Sequence, residues 1–318
     1  MRSISFRSRS VLGATCALVS LTTSSSAQAR GATAHDPLVV PASWLASHLH
    51  DPNLVLLHVG ERAEYDAKHI PGARFVAMQD VSVTDPSATG QILEMPPADQ
   101  LQRALATLGI SDNSRIVVYY GKDWVTPSTR IVYTLNYAGL GDHTSVLDGG
   151  MDAWSNSGNQ TTSTPTPVPA AGKLATLAIR PIVVDAAYVR AHIGKPGFSI
   201  VDGRASAFYD GVQTGSSRAN GSHRTGHIAG AKNVPFSEIT DDKLLFKPID
   251  QLASLFARAG VAPSDTVIGY CHIGQQATGM LFAARLTGHP VLLYDGSFDD
   301  WSRHADYPVE NPSAKGKP

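Results

Sequence analysis

Cys271 stands out among the residues able to do covalent chemistry. It closes the β-branched run Thr266-Val267-Ile268-Gly269-Tyr270 and opens the loop Cys271-His272-Ile273-Gly274-Gln275-Gln276-Ala277, which leads into an amphipathic stretch. A thiol between a strand and a helix N-terminus meets partial positive charge, and successive backbone N–H groups in such a loop form an anion-binding nest. That setting lowers a thiol pKa, so Cys271 is expected to be a thiolate nucleophile at neutral pH. Gly274 permits backbone geometry closed to other residues. Upstream, Asp202-Gly203-Arg204 follows a second strand-like run, Phe198-Ser199-Ile200-Val201. The Arg204 guanidinium is able to fork onto an anionic substrate or onto Asp202.

The elements that must position these residues occur twice. In the second half, strands at 198–201, 266–270 and 291–294 alternate with helices at 250–259 and 276–286; in the first, strands at 54–58, 115–120 and 145–147 alternate with helices at 98–108 and 128–138. Strand, helix and strand in succession predict an α/β fold: two tandem domains, each a mainly parallel sheet with helices on both faces. In such sheets ligands bind beyond the carboxyl ends of the strands, where Cys271 stands. The landmarks His69-Ile70-Pro71-Gly72-Ala73 and Asp148-Gly149-Gly150-Met151-Asp152-Ala153-Trp154 return as His227-Ile228-Ala229-Gly230-Ala231 and Asp295-Gly296-Ser297-Phe298-Asp299-Asp300-Trp301, which marks a duplication. Aligning the copies sets His58 opposite Asp202, Gly60 opposite Arg204 and Gly121 opposite Cys271, so the first copy lacks both nucleophile and arginine. Lys122, Asp123, Trp124 and Arg130 are the residues through which it could face the site.

Domain boundaries follow from composition. Residues 1–29 join Arg2, Arg7 and Arg9 to an apolar core and end in Ala27-Gln28-Ala29, the pattern of a secretory signal peptide. The first copy then spans 30–157, a Ser/Thr/Pro-rich linker 158–177, and the second copy 178–318. The expected mature protein is exported, most simply to a periplasm, and has no membrane span. Loss of the leader takes the formal charge from −1 to −4, which argues against nucleic-acid partners. It also leaves Cys271 as a lone cysteine in an oxidising compartment, where an unpaired thiol is inert or kept for its reactivity. A Gly/Ser-rich insertion, 210–223, is expected to be a mobile loop.

Taken together, Tyr270-Cys271-His272-Ile273-Gly274-Gln275-Gln276-Ala277, Val201-Asp202-Gly203-Arg204, the His227 turn and the Asp295 to Trp301 segment resemble the rhodanese (thiosulfate sulfurtransferase) family in its tandem-domain form. The resemblance implies that Cys271 takes the outer sulfur of a small anionic donor such as thiosulfate. A persulfide forms, which a thiophilic acceptor such as cyanide or a thiol then discharges. It further implies that the amides of His272, Ile273, Gly274, Gln275, Gln276 and Ala277 cradle the persulfide and that Arg204 contacts the donor. No metal or organic cofactor is implied, and a protein partner is not specified.

Four other readings compete. A mercaptopyruvate sulfurtransferase resembles Cys-Gly-Ser-Gly-Val-Thr in this loop, which His272, Ile273, Gln275 and Gln276 do not match. A Cys-x5-Arg phosphatase requires an arginine where Ala277 stands. A Cys–His hydrolase would need His223 or His227 near Cys271, and His227 belongs to a turn. An exported sulfur-binding or partner-binding platform needs no catalysis at all. The close histidine pairs His48/His50 and His223/His227 lack the companions of a metal motif.

Overall fold

The computed structural model describes Met1 and residues 37–87, 90–122, 124–167, 170–215 and 224–316. The expected leader and residues 216–223 of the Gly/Ser-rich insertion lie outside the described residues, as do Asp123 and His223. No helix among the described residues is long and apolar enough to cross a membrane.

Two five-stranded sheets form, each parallel throughout. The first contains β1 (Val39–Val40), β2 (Leu54–Val59), β3 (Arg74–Val76), β4 (Arg115–Tyr120) and β5 (Thr144–Leu147), in the order β1-β5-β4-β2-β3. The second contains β6 (Val183–Val184), β7 (Phe198–Asp202), β9 (Lys232–Asn233), β10 (Thr266–Tyr270) and β11 (Val291–Tyr294), in the equivalent order β6-β11-β10-β7-β9. A short antiparallel pair, β8 (His227–Ile228) with β12 (Val309–Glu310), lies outside the second sheet. The α/β reading therefore holds, with two copies of one topology.

Helices cover both faces because the strands are apolar on both. Along β4, Ile116, Val118 and Tyr120 join one apolar cluster while Val117 and Tyr119 join another, the period-two split of a doubly covered strand. The outer face of the first sheet carries α1 (Ala42–His48), α2 (Arg62–Ala67) and α5 (Gly150–Asn156); that of the second carries α6 (Ala186–Ala191) and α10 (Ser297–Trp301). The inner faces carry α3 (Ala98–Thr107) and α4 (Thr126–Tyr137) in the first copy, and α8 (Ile249–Arg258) and α9 (Gln275–Leu286) in the second. These inner helices share one continuous core, because α4 packs directly on α9. A one-turn helix, α7 (Ser206–Tyr209), follows β7.

The linker is anchored to the first copy. Thr162 and His69 exchange backbone hydrogen bonds of 2.8 and 2.9 Å, and the His69 Nε2 atom lies 3.1 Å from the Thr164 carbonyl oxygen.

Each His-turn is locked in the same way. Tyr65 stacks on His69 at 3.9 Å and Tyr209 on His227 at 3.6 Å, and each histidine Nδ1 lies 2.7 Å from the carbonyl of its tyrosine. These contacts fix both histidines as turn residues. A second tyrosine in each copy, Tyr119 and Tyr270, accepts the backbone N–H that follows the histidine, of Ile70 and Ile228, at 3.1 Å. Both hydroxyls are buried, so removing one strands an amide without a partner. Tyr119→Phe is expected to lower stability by about 1–2 kcal/mol, read as a lower urea midpoint, while the second copy's chemistry persists.

Candidate active site

Strand β10 alternates its side chains between the two faces, and this carries Cys271 to the inner one. Val267 and Cys271 belong to the inner cluster, whereas Ile268 and Tyr270 belong to the outer. Between them Gly269 lets α9 approach closely: an added Cβ would stand 2.6 Å from Leu281 and 2.8 Å from Met280. Cys271 therefore sits at the carboxyl end of the central strand, at the N-terminus of α9, against the first copy.

The loop is held from both sides. The Cys271 N–H donates to Ser297 Oγ at 3.1 Å, Ser297 Oγ donates to the Tyr294 carbonyl at 2.9 Å, and the Phe298 and Asp299 amides cap the carbonyls of Cys271 and His272 at 3.0 Å. Gly274 adopts φ +83°, and a Cβ there would lie 2.7 Å from Asp295 Oδ1 and 3.1 Å from Arg130 Nη1. Glycine alone fits, by conformation and by space. The amides of Ile273, Gly274 and Ala277 hydrogen-bond toward the Cys271 sulfur. These are three members of the predicted cradle.

Cys271 is fully buried, and burial pushes its thiol above the ordinary value. The three amides pull downward and the Asp202 carboxylate pushes up again, but desolvation dominates. The expectation of a lowered pKa is thereby corrected for the sulfur-free protein: a thiolate this dry is costlier than the amides repay.

Above the sulfur lies a cleft of about 420 Å³ lined by Trp124, Pro127, Gly215, Cys271, His272, Ile273, Gln275 and Gln276. The loop residues named from the sequence thus meet here, except that Ala277 is buried beneath and Gly274 faces Asp295. His272 meets the edge of Phe208 at 4.7 Å, and Gln275 Nε2 lies 3.5 Å from Thr126 Oγ1 of the first copy.

Arg204 does not line the cleft, and its donor-binding role is corrected. Its side chain is about 3% exposed and forks onto Asp202, with Nη2 to Oδ2 at 2.5 Å and Nε to both oxygens at 3.0 Å. Nη2 also donates to the Gly226 carbonyl at 2.8 Å, and the guanidinium lies 4.2 Å from the Phe298 ring centre. It ties the end of β7 to the His227 turn.

The sequence reading also missed a buried ionic cluster joining the copies. Arg130 of α4 donates to Asp295 at 2.5 and 3.3 Å and to the Leu93 carbonyl, and Asp295 Oδ2 accepts the Met95 N–H at 2.8 Å. Both ionic side chains are about 2% exposed. Glu94 lies beside them, and burial first, then Asp295, pushes its carboxyl up to about 8 despite Arg130. Arg130, one of the residues through which the first copy could face the site, thus stands behind the Gly274 loop. A Gly-containing loop and a distant arginine were both visible in sequence, but nothing linked them.

In the first copy the equivalent loop is closed. A Cβ at Gly121 would collide with the Glu64 carboxylate, which accepts the Lys122 N–H at 3.1 Å. Pro127 stands opposite Ala277 and has no N–H to offer.

The Rhodanese-like domain family profile matches residues 41–157 and 185–304. A thiosulfate sulfurtransferase of Azotobacter vinelandii is 28% identical over 277 residues, covering 86% of this chain and 97% of that protein. The thiosulfate sulfurtransferase of Rattus norvegicus is 31% identical over 294 residues, covering 88% and 96%. The crystal structure of YnjE superposes with a TM-score of 0.77 at 22% identity, over 86% of this chain and 68% of that one, a likeness of fold. Fold and site define a two-domain enzyme of the rhodanese-type sulfurtransferase class. The chain belongs to the rhodanese-like domain family.

Glu94 makes stability depend on pH. Its carboxyl titrates near 4.3 when unfolded and near 8 when folded, so the unfolded chain releases the proton first as pH rises. Stability is expected to fall between those values and level off above them. In Glu94→Gln the urea midpoint at pH 7 should rise and this slope should flatten, by less than the ~1.4 kcal/mol per pH unit of one fully coupled proton.

Proposed function

We propose that the protein moves a sulfane sulfur from a small anionic donor such as thiosulfate to cyanide or a thiol, through a persulfide on Cys271. The observation that carries this reading is the convergence of the Ile273, Gly274 and Ala277 amides on the Cys271 sulfur at the base of a cleft. The names of the relatives support the donor.

In the first step the Cys271 thiolate attacks the outer sulfur of thiosulfate. The donor's S–S bond breaks, and sulfite leaves with the electron pair. The acceptor then attacks the outer sulfur of the persulfide, and the pair of that S–S bond returns to Cys271. An S–S–H group is more acidic than a thiol and carries its charge one bond further toward the cleft. The fixed amides therefore serve the persulfide anion best, with no reorganisation during the reaction. Resting Cys271 stays protonated, which protects a lone thiol from oxidation in an oxidising compartment. Export of the chain by the 1–29 leader, with periplasmic residence, completes the reading.

Intact mass spectrometry after thiosulfate treatment should show one added sulfur atom, lost on cyanide addition, on a chain beginning at Arg30. Cys271→Ser should show none, with turnover reduced to background and an unchanged urea midpoint. Sulfur uptake by the serine variant would overturn the mechanism.

Because the thiolate is the attacking form and burial raises the thiol pKa, the sulfur-loading rate should climb with pH. The rise should approach tenfold per unit and continue past about 8.5, the range of an ordinary thiol. A rate that levels off below pH 7 in stopped-flow loading experiments would contradict the raised pKa.

A further inference from the structure

We infer that the sulfur acceptor at Cys271 is an organic thiol with a flat apolar ring, which stacks on Trp124 of the non-catalytic copy. This rests on the Cys271 persulfide proposed above. The cleft holds about 420 Å³, within the range of sites for organic ligands and far beyond what cyanide fills. Trp124 is 48% exposed, unusual for an indole beside a buried catalytic thiol. Its ring is nevertheless fixed: it stacks on Phe236 of the second copy, with centroids 5.4 Å apart and planes 11° from parallel. One face of a rigid aromatic pair is thus presented at a cleft whose floor is the reacting sulfur.

The remaining lining fits the same ligand class. Pro127 and Ile273 add apolar surface, and Gly215 approaches the Phe208–His272 pair so closely that a Cβ would lie 3.0 Å from both rings. Gln276 adds a polar side chain to the lining. A ring laid on Trp124 gains stacking and loses little freedom, because the platform is already ordered.

The transfer balances without an added oxidant or reductant. The acceptor thiolate attacks the outer sulfur of Cys271–S–SH, a new S–S bond forms, and the bond to Sγ breaks. The electron pair remains on Cys271, and the organic persulfide R–S–SH departs with the proton.

The test uses protein loaded with sulfur by thiosulfate and follows discharge by intact mass in rapid quench. Benzyl mercaptan and 2-mercaptoethanol are thiols of similar acidity that differ in the ring. Benzyl mercaptan is expected to discharge the persulfide about tenfold faster at subsaturating concentration. Trp124→Ala should reduce the ratio to near one, and Trp124→Phe should retain most of it. Equal rates with the two thiols, or a ratio that survives Trp124→Ala, would overturn this acceptor class while leaving the persulfide intact. A Cys271 that takes up no sulfur at all would instead remove both readings.

Discussion

A buried ion pair between the two copies, set beside their shared apolar core, fixes the loop on which the site depends. Arg130 comes from the N-terminal half of α4, Asp295 follows β11, and they meet with almost no solvent between them. Desolvating both charges is expensive, and a buried pair adds little net stability over an apolar contact. Its consequence is geometric: the Leu93 carbonyl accepts from Arg130 and the Met95 amide donates to Asp295, while Arg130 Nε is left without a partner among the described residues. Asp295 is thereby fixed directly behind Gly274, leaving no room there for a side chain. The loop that aims amides at Cys271 inherits its shape from a charge on the other copy.

Part of this was legible in the sequence. Cys271 and its loop could be found because strand end, glycine and helix start are local signals, spaced within a few residues. The parallel sheets could be found because apolar runs alternate with amphipathic ones. Arg130 and Asp295 are separated by 165 residues, and no periodicity connects them. Trp124 could be named from the sequence as a residue able to face the site but not as a fixed platform, because its stacking partner, Phe236, belongs to the other copy. Arg204 was misread for the opposite reason: an Asp-x-Arg sequence is the same string whether the guanidinium faces a substrate or turns back onto its neighbour. Burial decides between the two, and burial is a tertiary property.

The same holds for the thiol. Helix start and loop amides predict a lowered pKa, and those amides are present. What the sequence does not display is that Cys271 falls on the inner face, under a first copy that excludes water. Desolvation of a full charge outweighs three amide dipoles. The proposed persulfide changes this balance, because it extends the charge one bond toward the cleft while the amides stay in place. In the proposed cycle the fixed amides thus serve the charge that develops along the persulfide better than the resting thiolate, and dipoles aimed at developing charge accelerate a reaction.

The duplicated topology puts the two equivalent loops side by side, and only the second has a cysteine at the end of its central strand. In the second copy Cys271 stands where three amides converge. In the first, Gly121 replaces the thiol, Pro127 replaces an amide donor, and the Glu64 carboxylate turns in to accept the Lys122 N–H. A loop that bound a sulfur anion through its backbone would be left with unmet donors once the sulfur was lost, and a carboxylate is the side chain best suited to take them. The rest of that loop faces the second copy. Thr126 beside Gln275, Pro127 and Trp124 in the cleft, and Arg130 behind Gly274 all lie on or next to the first copy's counterpart of the Cys271 loop. Residues of the first copy thus wall the cleft over Cys271 of the second, so the cleft is built by both copies.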